Sequence, residues 1–127
     1  MIAEDEAISA LSMQRALIRA GYDVCDLVST GEDALERVKQ KNPNLVIMDV
    51  FLNGRVNGIE AAMEIRSRSD IPIVFITGYE EGQLIEQIKS INSSTYLLKP
   101  FTPRALESVI TQALQNEYKY RQTNQPL

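Results

Sequence analysis

Histidine and tryptophan are absent from this 127-residue chain, and cysteine occurs once, as Cys25. Without histidine there is no imidazole metal site, no histidine general base and no Ser-His-Asp triad. A single cysteine excludes an internal disulfide and a thiolate zinc site. Cys25 lies in an apolar stretch, where a buried, inert thiol is expected. A basic excess is also missing: 13 Lys and Arg against 17 Asp and Glu leave a net charge of −4, which argues against a nucleic-acid footprint. No apolar run approaches the ~20 residues that cross a bilayer, so no membrane contact is expected. Glu4, Asp5 and Glu6 stand where a signal peptide would be basic, and cytoplasmic residence is the expectation. No linker, repeat or low-complexity segment interrupts the chain before its last dozen residues.

What is present is a set of short apolar runs, each ending on a polar residue. Ile2-Ala3 stops at Glu4-Asp5, Leu45 to Met48 at Asp49, Ile73 to Ile76 at Thr77, and Tyr96 to Leu98 at Lys99. Such runs read as buried strands of a parallel sheet. Amphipathic stretches alternate with them. The first spans about Glu6 to Ala20, with Ile8, Leu11 and Ile18 facing inward and Gly21 as the stop. A strand from Val24 to Val28 follows. Thr30 with Asp33 then resembles a capping box for a helix to about Lys41, ended before Pro43. Gly54 and Gly58 mark a loop, Ile59 to Ser67 a helix, and Pro72 the start of the fourth strand. Glu81 to Ile91 reads as a helix and Thr95 to Leu98 as the fifth strand. Thr102 and Pro103 open a last helix with an inward stripe of Leu106, Val109, Ile110, Ala113 and Leu114. From Gln115 the chain turns polar and is expected to fray. The order is α/β, a (βα)5 doubly wound sandwich on a five-stranded parallel sheet. Right-handed crossovers covering both faces put the switch point beside the first strand, so Glu4-Asp5 should lie next to Asp49.

Ligands bind at the carboxyl ends of the strands in such sheets. Crowded carboxylates repel and call for a cation, and an all-oxygen set suits Mg²⁺. Asp49 could then be a metal ligand, a general base or a nucleophile. Lys99 could pair with the carboxylates or hold a phosphoryl oxygen, and Thr77 offers a hydroxyl donor. Taken singly, each residue has an ordinary role: Asp49 as a turn former, Glu4 to Glu6 as a solvated helix start, Thr77-Gly78 as a turn, Lys99 as an exposed strand end, Tyr96 as filler. Their joint placement at the strand ends is what those roles leave unexplained.

At these residues the chain resembles the receiver domain of two-component response regulators. The resemblance rests on Glu4-Asp5, the strand Leu45 to Asp49, the stretch Asn57-Gly58-Ile59-Glu60-Ala61-Ala62, Thr77-Gly78 and Lys99-Pro100-Phe101. It runs from Ile2 to about Leu114 and implies a receiver domain over residues 1–116 with a polar tail over 117–127. It implies that Asp49 accepts a phosphoryl group from a phosphohistidine on a sensor histidine kinase or histidine phosphotransfer protein. It further implies that Asp5, Asp49 and the Phe51 backbone carbonyl bind Mg²⁺ directly and Glu4 through water. Thr77 and Lys99 would hold the phosphoryl group, Tyr96 would turn inward as Thr77 moves, and the Lys99–Pro100 bond would be cis. On this reading the chain is a signalling phosphoacceptor that catalyses its own phosphorylation and dephosphorylation, acting on a downstream protein or an attached output domain.

Some features depart from the usual pattern. The first strand is short. The loop from Val50 to Gly58 lacks the common Met-Pro and is one residue longer. Gly78 follows Thr77 in place of alanine, and Phe51 and Tyr79 are bulky beside the phosphoryl position, where they should slow attack by water. A phosphohydrolase of similar build would carry a second Asp where Phe51 stands. A flavodoxin-like nucleotide binder would need a glycine-rich loop after the first strand. The remaining alternative is a degenerate receiver acting only as a protein-binding module. The oligomeric state, a homodimer included, is left open.

Overall fold

A computed structural model describes residues 1–78 and 82–123, with side chains as far as residue 116. The elements run β1 (Ile2–Ala3), α1 (Ala7–Arg19), β2 (Leu27–Val28), α2 (Gly31–Lys41), β3 (Val46–Asp49), α3 (Gly58–Arg68), β4 (Ile73–Thr77), α4 (Gly82–Lys89), β5 (Ser94–Leu98) and α5 (Pro103–Thr123). One parallel sheet holds the strands in the order β2-β1-β3-β4-β5. This is the doubly wound arrangement that the alternating runs imply. β1 lies between β2 and β3, and the order reverses there.

Period-two alternation divides the strand side chains between two cores. Ala3, Val46, Met48, Ile73 and Phe75 pack with Ala34, Val38, Ala62, Ile65 and Ile88, the face covered by α2, α3 and α4. Ile2, Ile47, Val74 and Ile76 pack with Met13, Leu17, Leu106 and Ile110, the face covered by α1 and α5. β3 and β4 are buried at every position, as central parallel strands with helices on both faces must be.

Local chemistry sets the helix ends. Thr30 Oγ1 accepts the Asp33 N–H at 3.1 Å to start α2, and Thr102 Oγ1 accepts the Ala105 N–H at 3.1 Å to start α5. α3 begins with a full capping box. Asn57 Oδ1 accepts from Glu60 N–H at 2.9 Å, and Glu60 Oε1 accepts from Asn57 N–H at 3.3 Å. Arg66 closes the other end of α3 by donating to the carbonyls of Ser69 at 2.8 Å, Ile71 at 2.7 Å and Ser93 at 3.3 Å. It thereby ties the approaches to β4 and β5 to the helix.

Four expectations are corrected. Ile8, Leu11 and Ile18 are 85%, 46% and 55% exposed, and the buried stripe of α1 is Ala10, Met13 and Leu17. The helix carries two apolar stripes roughly 140° apart at 100° per residue, and the one containing small Ala10 faces the sheet and α5. β2 is confined to Leu27–Val28 rather than starting at Val24, because its partner β1 offers only Ile2 and Ala3 for pairing. Cys25 is exposed: it precedes this edge strand, beyond the paired residues. α5 stays helical to Thr123 rather than fraying from Gln115.

Candidate functional site

The site is assembled where the strands end. Ala3 pairs with Met48 and Asp49 with Ile76 in register, so Glu4, Asp49 and Thr77 leave the sheet side by side. The Glu4 N–H donates to the Val28 carbonyl at 2.9 Å, holding the residue in line with β1. The Lys99 N–H donates to the Thr77 carbonyl at 2.8 Å, which fixes the end of β5 against β4, and the Lys99–Pro100 peptide is cis.

Asp49 is buried and both of its carboxylate oxygens are engaged. Oδ1 accepts the Phe51 N–H at 3.0 Å, a side chain bonding the backbone two residues on. Oδ2 accepts from Lys99 Nζ at 2.9 Å. The main chain behind Asp49 is backed by α3: the Gly58 N–H donates to the Val50 carbonyl at 2.9 Å, and a Cβ at Gly58 would collide with the Asp49 carbonyl oxygen. Only glycine permits the helix to start so close to the strand.

Lys99 Nζ also donates to Glu4 Oε1 at 3.0 Å, so one ammonium spans two carboxylates. Glu4 is only 3% exposed, and its second oxygen, Oε2, is buried with no hydrogen-bond partner. Burial first, and then the Asp49 carboxylate beside it, push Glu4 up to about 7, against the pull of Lys99. Burial acts to lower the Lys99 pKa, but Asp49 and Glu4 outweigh it and the net shift is upward, so the ammonium stays charged through neutral pH. Carboxylate oxygens of Glu4, Asp5 and Asp49 lie within 4.8 Å of one another. An all-oxygen cluster with one buried, partnerless oxygen and a carboxyl whose ionisation burial disfavours is the donor chemistry that suits a hard divalent cation.

Thr77 is buried at the end of β4. Tyr96 is half-buried against the α2–α4 core. Phe51 stands 56% exposed just past Asp49. Tyr79 lies outside the described residues. The structure brings Glu4, Asp5, Asp49 and Lys99 together, while the framing roles of the residues around them were not read from the sequence. Asn57 and Glu60 carry a capping signature three residues apart, and Gly58 sits where a helix meets a strand end. Arg66 left no comparable signal.

The response regulator receiver domain family matches residues 1–111. The chain belongs to the response regulator receiver family. Transcriptional regulatory protein PdtaR of Mycobacterium tuberculosis is 37% identical over 102 residues, covering 80% of this chain and 49% of that protein. Probable transcriptional regulator ycf27 of Porphyridium aerugineum is 30% identical, covering 98% of this chain and 51% of that protein. The receiver thus spans about half the length of these curated relatives. Among solved structures, the N-terminal domain of a response regulator/sensory box/GGDEF 3-domain protein from Carboxydothermus hydrogenoformans superposes with a TM-score of 0.84 at 30% identity, covering 94% of this chain and 95% of that one. The signal receiver domain of a modulated diguanylate cyclase from Desulfovibrio desulfuricans G20 gives 0.86 at 28%, covering 94% of both chains. The receiver fold and its signalling role follow from this membership. No helix among the described residues is long and apolar enough to cross a membrane.

Proposed function

We propose that this receiver takes a phosphoryl group onto Asp49 from a phosphohistidine of a sensor kinase or histidine phosphotransfer protein, and that residues 1–116 are the unit that does so. The observation that carries the reading is Lys99, which bridges Asp49 and the buried Glu4 at the strand ends. A carboxylate oxygen of Asp49 forms the new P–O bond as the P–N bond breaks, and the electron pair stays on the imidazole nitrogen. Lys99, already bonded to Asp49, is placed to follow the charge onto a phosphoryl oxygen, and the Thr77 hydroxyl supplies a donor from β4. Glu4, Asp5, Asp49 and the Phe51 carbonyl would hold Mg²⁺, which when bound would supply positive charge to offset that of the phosphoryl group.

The modified side chain gains about two negative charges and three acceptor oxygens. A shift of Thr77 toward the new acceptors, with Tyr96 following inward, would alter the surface around α4, β5 and α5 and its affinity for a downstream protein or attached output domain. Hydrolysis of the acyl phosphate by water, in the same site, resets the domain. Cytoplasmic residence accords with a donor of this kind. Direct nucleic-acid contact is not assigned to this acidic domain, although relatives of about twice its length are named transcriptional regulators.

The test is incubation with Mg²⁺ and acetyl phosphate followed by intact mass. One base-labile, acid-stable phosphoryl adduct is expected on the wild type and none on Asp49→Asn. Absence of uptake from small donors and from histidine kinases alike would leave a protein-binding module in its place.

A further inference from the structure

The loop over residues 50–57 leaves β3 carrying Phe51 and has no regular hydrogen-bonded ladder of its own. It is fastened instead to the start of α2, at three places. Thr30 and Asn53 form an isolated parallel bridge. Gly31 lies so close to the loop that a Cβ there would collide with the Val56 carbonyl oxygen. Glu32 Oε1 accepts the Val56 N–H at 2.6 Å. The other oxygen of Glu32 faces Gly54, where a Cβ would sit 2.5 Å from Oε2, and Gly54 itself has φ of +102°, a conformation that favours glycine.

A glutamate in the first turn of a helix ordinarily does no more than complement the dipole. That role requires no contact with a loop 24 residues further along the chain. Glu32 is half-buried. Desolvation acts to raise its pKa, but N–H groups of Val56, Glu32 and Arg55 together outweigh it, so the carboxylate lies below the usual range. A charged acceptor on a backbone N–H makes a short, strong bond, and here it adds a side-chain tie between two segments that the Thr30–Asn53 bridge and the Gly31–Val56 contact already bring together.

We propose that Glu32 is a positioning residue for the metal site. It clamps Gly54 to Val56 onto α2, fixes the loop that presents the Phe51 carbonyl, and so sets the Mg²⁺ affinity without touching the ion. This inference rests on the reading of the Asp49 cluster as a Mg²⁺-dependent phosphoacceptor site.

The experiment is a MgCl₂ titration of wild type, Glu32→Ala, Glu32→Gln and Gly54→Ala, followed by backbone amide NMR of residues 49–51. Amide exchange of Val56 is measured on the same samples, and circular dichroism melting confirms that each variant is folded. Glu32→Ala should speed Val56 exchange and weaken Mg²⁺ binding by about tenfold, the lower end of what loss of a ligand's supporting hydrogen bonds costs. Glu32→Gln keeps a carbonyl acceptor for Val56 and should stay within about threefold of wild type. Gly54→Ala, which disturbs the same contact from the loop side, should weaken binding as Glu32→Ala does. Glu32→Ala with faster Val56 exchange but wild-type Mg²⁺ affinity overturns the proposal, as does unchanged Val56 exchange. Glu32→Gln as weak as Glu32→Ala while Val56 exchange stays at the wild-type rate overturns it too, since affinity would then be lost with the clamp intact. A wild type that binds no Mg²⁺ overturns the functional reading, and the proposal with it, whereas loss limited to the variants' outcomes leaves that reading intact.

Discussion

Asp49 meets two kinds of neighbour. On its inner side Lys99 bonds Oδ2, and on its outer side the Phe51 N–H bonds Oδ1. The first neighbour supplies charge, and the second belongs to a bulky residue two positions on whose side chain is 56% exposed. If Asp49 carries the phosphoryl group and the Phe51 ring screens it from water, a polar side chain at this position would hold that water instead of excluding it. Phe51→Asn is therefore expected to shorten the phosphorylated lifetime by about threefold, a change of about 0.65 kcal/mol in barrier. Decay of the phosphorylated mass after removal of donor measures it, and the same assay on Tyr79→Ala tests the second bulky residue that the sequence singles out. An unchanged or longer lifetime in both variants would remove the shielding role.

At the scale of elements, β3 and β4 were legible because fully buried parallel strands write themselves as continuous apolar runs, β5 was legible from its shorter Tyr96 to Leu98 run, and the polar residue at the end of each run is the one that reaches the site. That is why Asp49, Thr77 and Lys99 could be read from sequence, and why the five-unit order followed. The inward face of α1 was not legible. Two apolar stripes compete on that helix, and larger Ile8, Leu11 and Ile18 lose to Ala10, Met13 and Leu17 because tertiary packing, not side-chain size, decides which stripe meets the sheet. The fastenings of the loops were illegible for a different reason: Glu32 and Arg66 look like surface charges until the fold brings backbone groups to them. Arg66 joins the end of α3 to the approaches of β4 and β5 through three carbonyls. Arg66→Ala should destabilise the domain by about 1–3 kcal/mol, the cost of carbonyls losing a charged donor. Arg66→Lys should recover only part, since an ammonium cannot reproduce the planar fork. Urea unfolding gives both values, and a loss below about 0.5 kcal/mol for the alanine variant would show that water replaces the guanidinium without penalty.

For the whole molecule, the sheet order forces acidic groups from β1 and β3 into one buried place, and folding stability has to bear their repulsion. Glu4 has a folded pKa of about 7 against an ordinary 4.5. A carboxyl whose pKa is raised by folding binds its proton more tightly in the folded state, so its contribution favours folding at low pH and declines as pH rises from 4.5 to 7, then stays flat. Lys99, whose pKa is also raised, has the same sign in a higher window: its contribution is fully present below 10.5 and is lost only as pH climbs through the folded value, outside this range. The metal-free domain should therefore melt lower at pH 8 than at pH 5.5, by an amount bounded by roughly 1–3 kcal/mol, or several degrees for a domain of this size. A divalent cation does for the deprotonated cluster what the proton does for Glu4, so Mg²⁺ should raise the melting temperature more at pH 8 than at pH 5.5. Glu4→Gln removes the titrating group and should flatten the metal-free profile. Calorimetry with and without Mg²⁺ at the two pH values checks all three. A metal-free melting temperature that rises across this window, or a slope that survives in Glu4→Gln, would place the cost of the acidic cluster on some group other than Glu4.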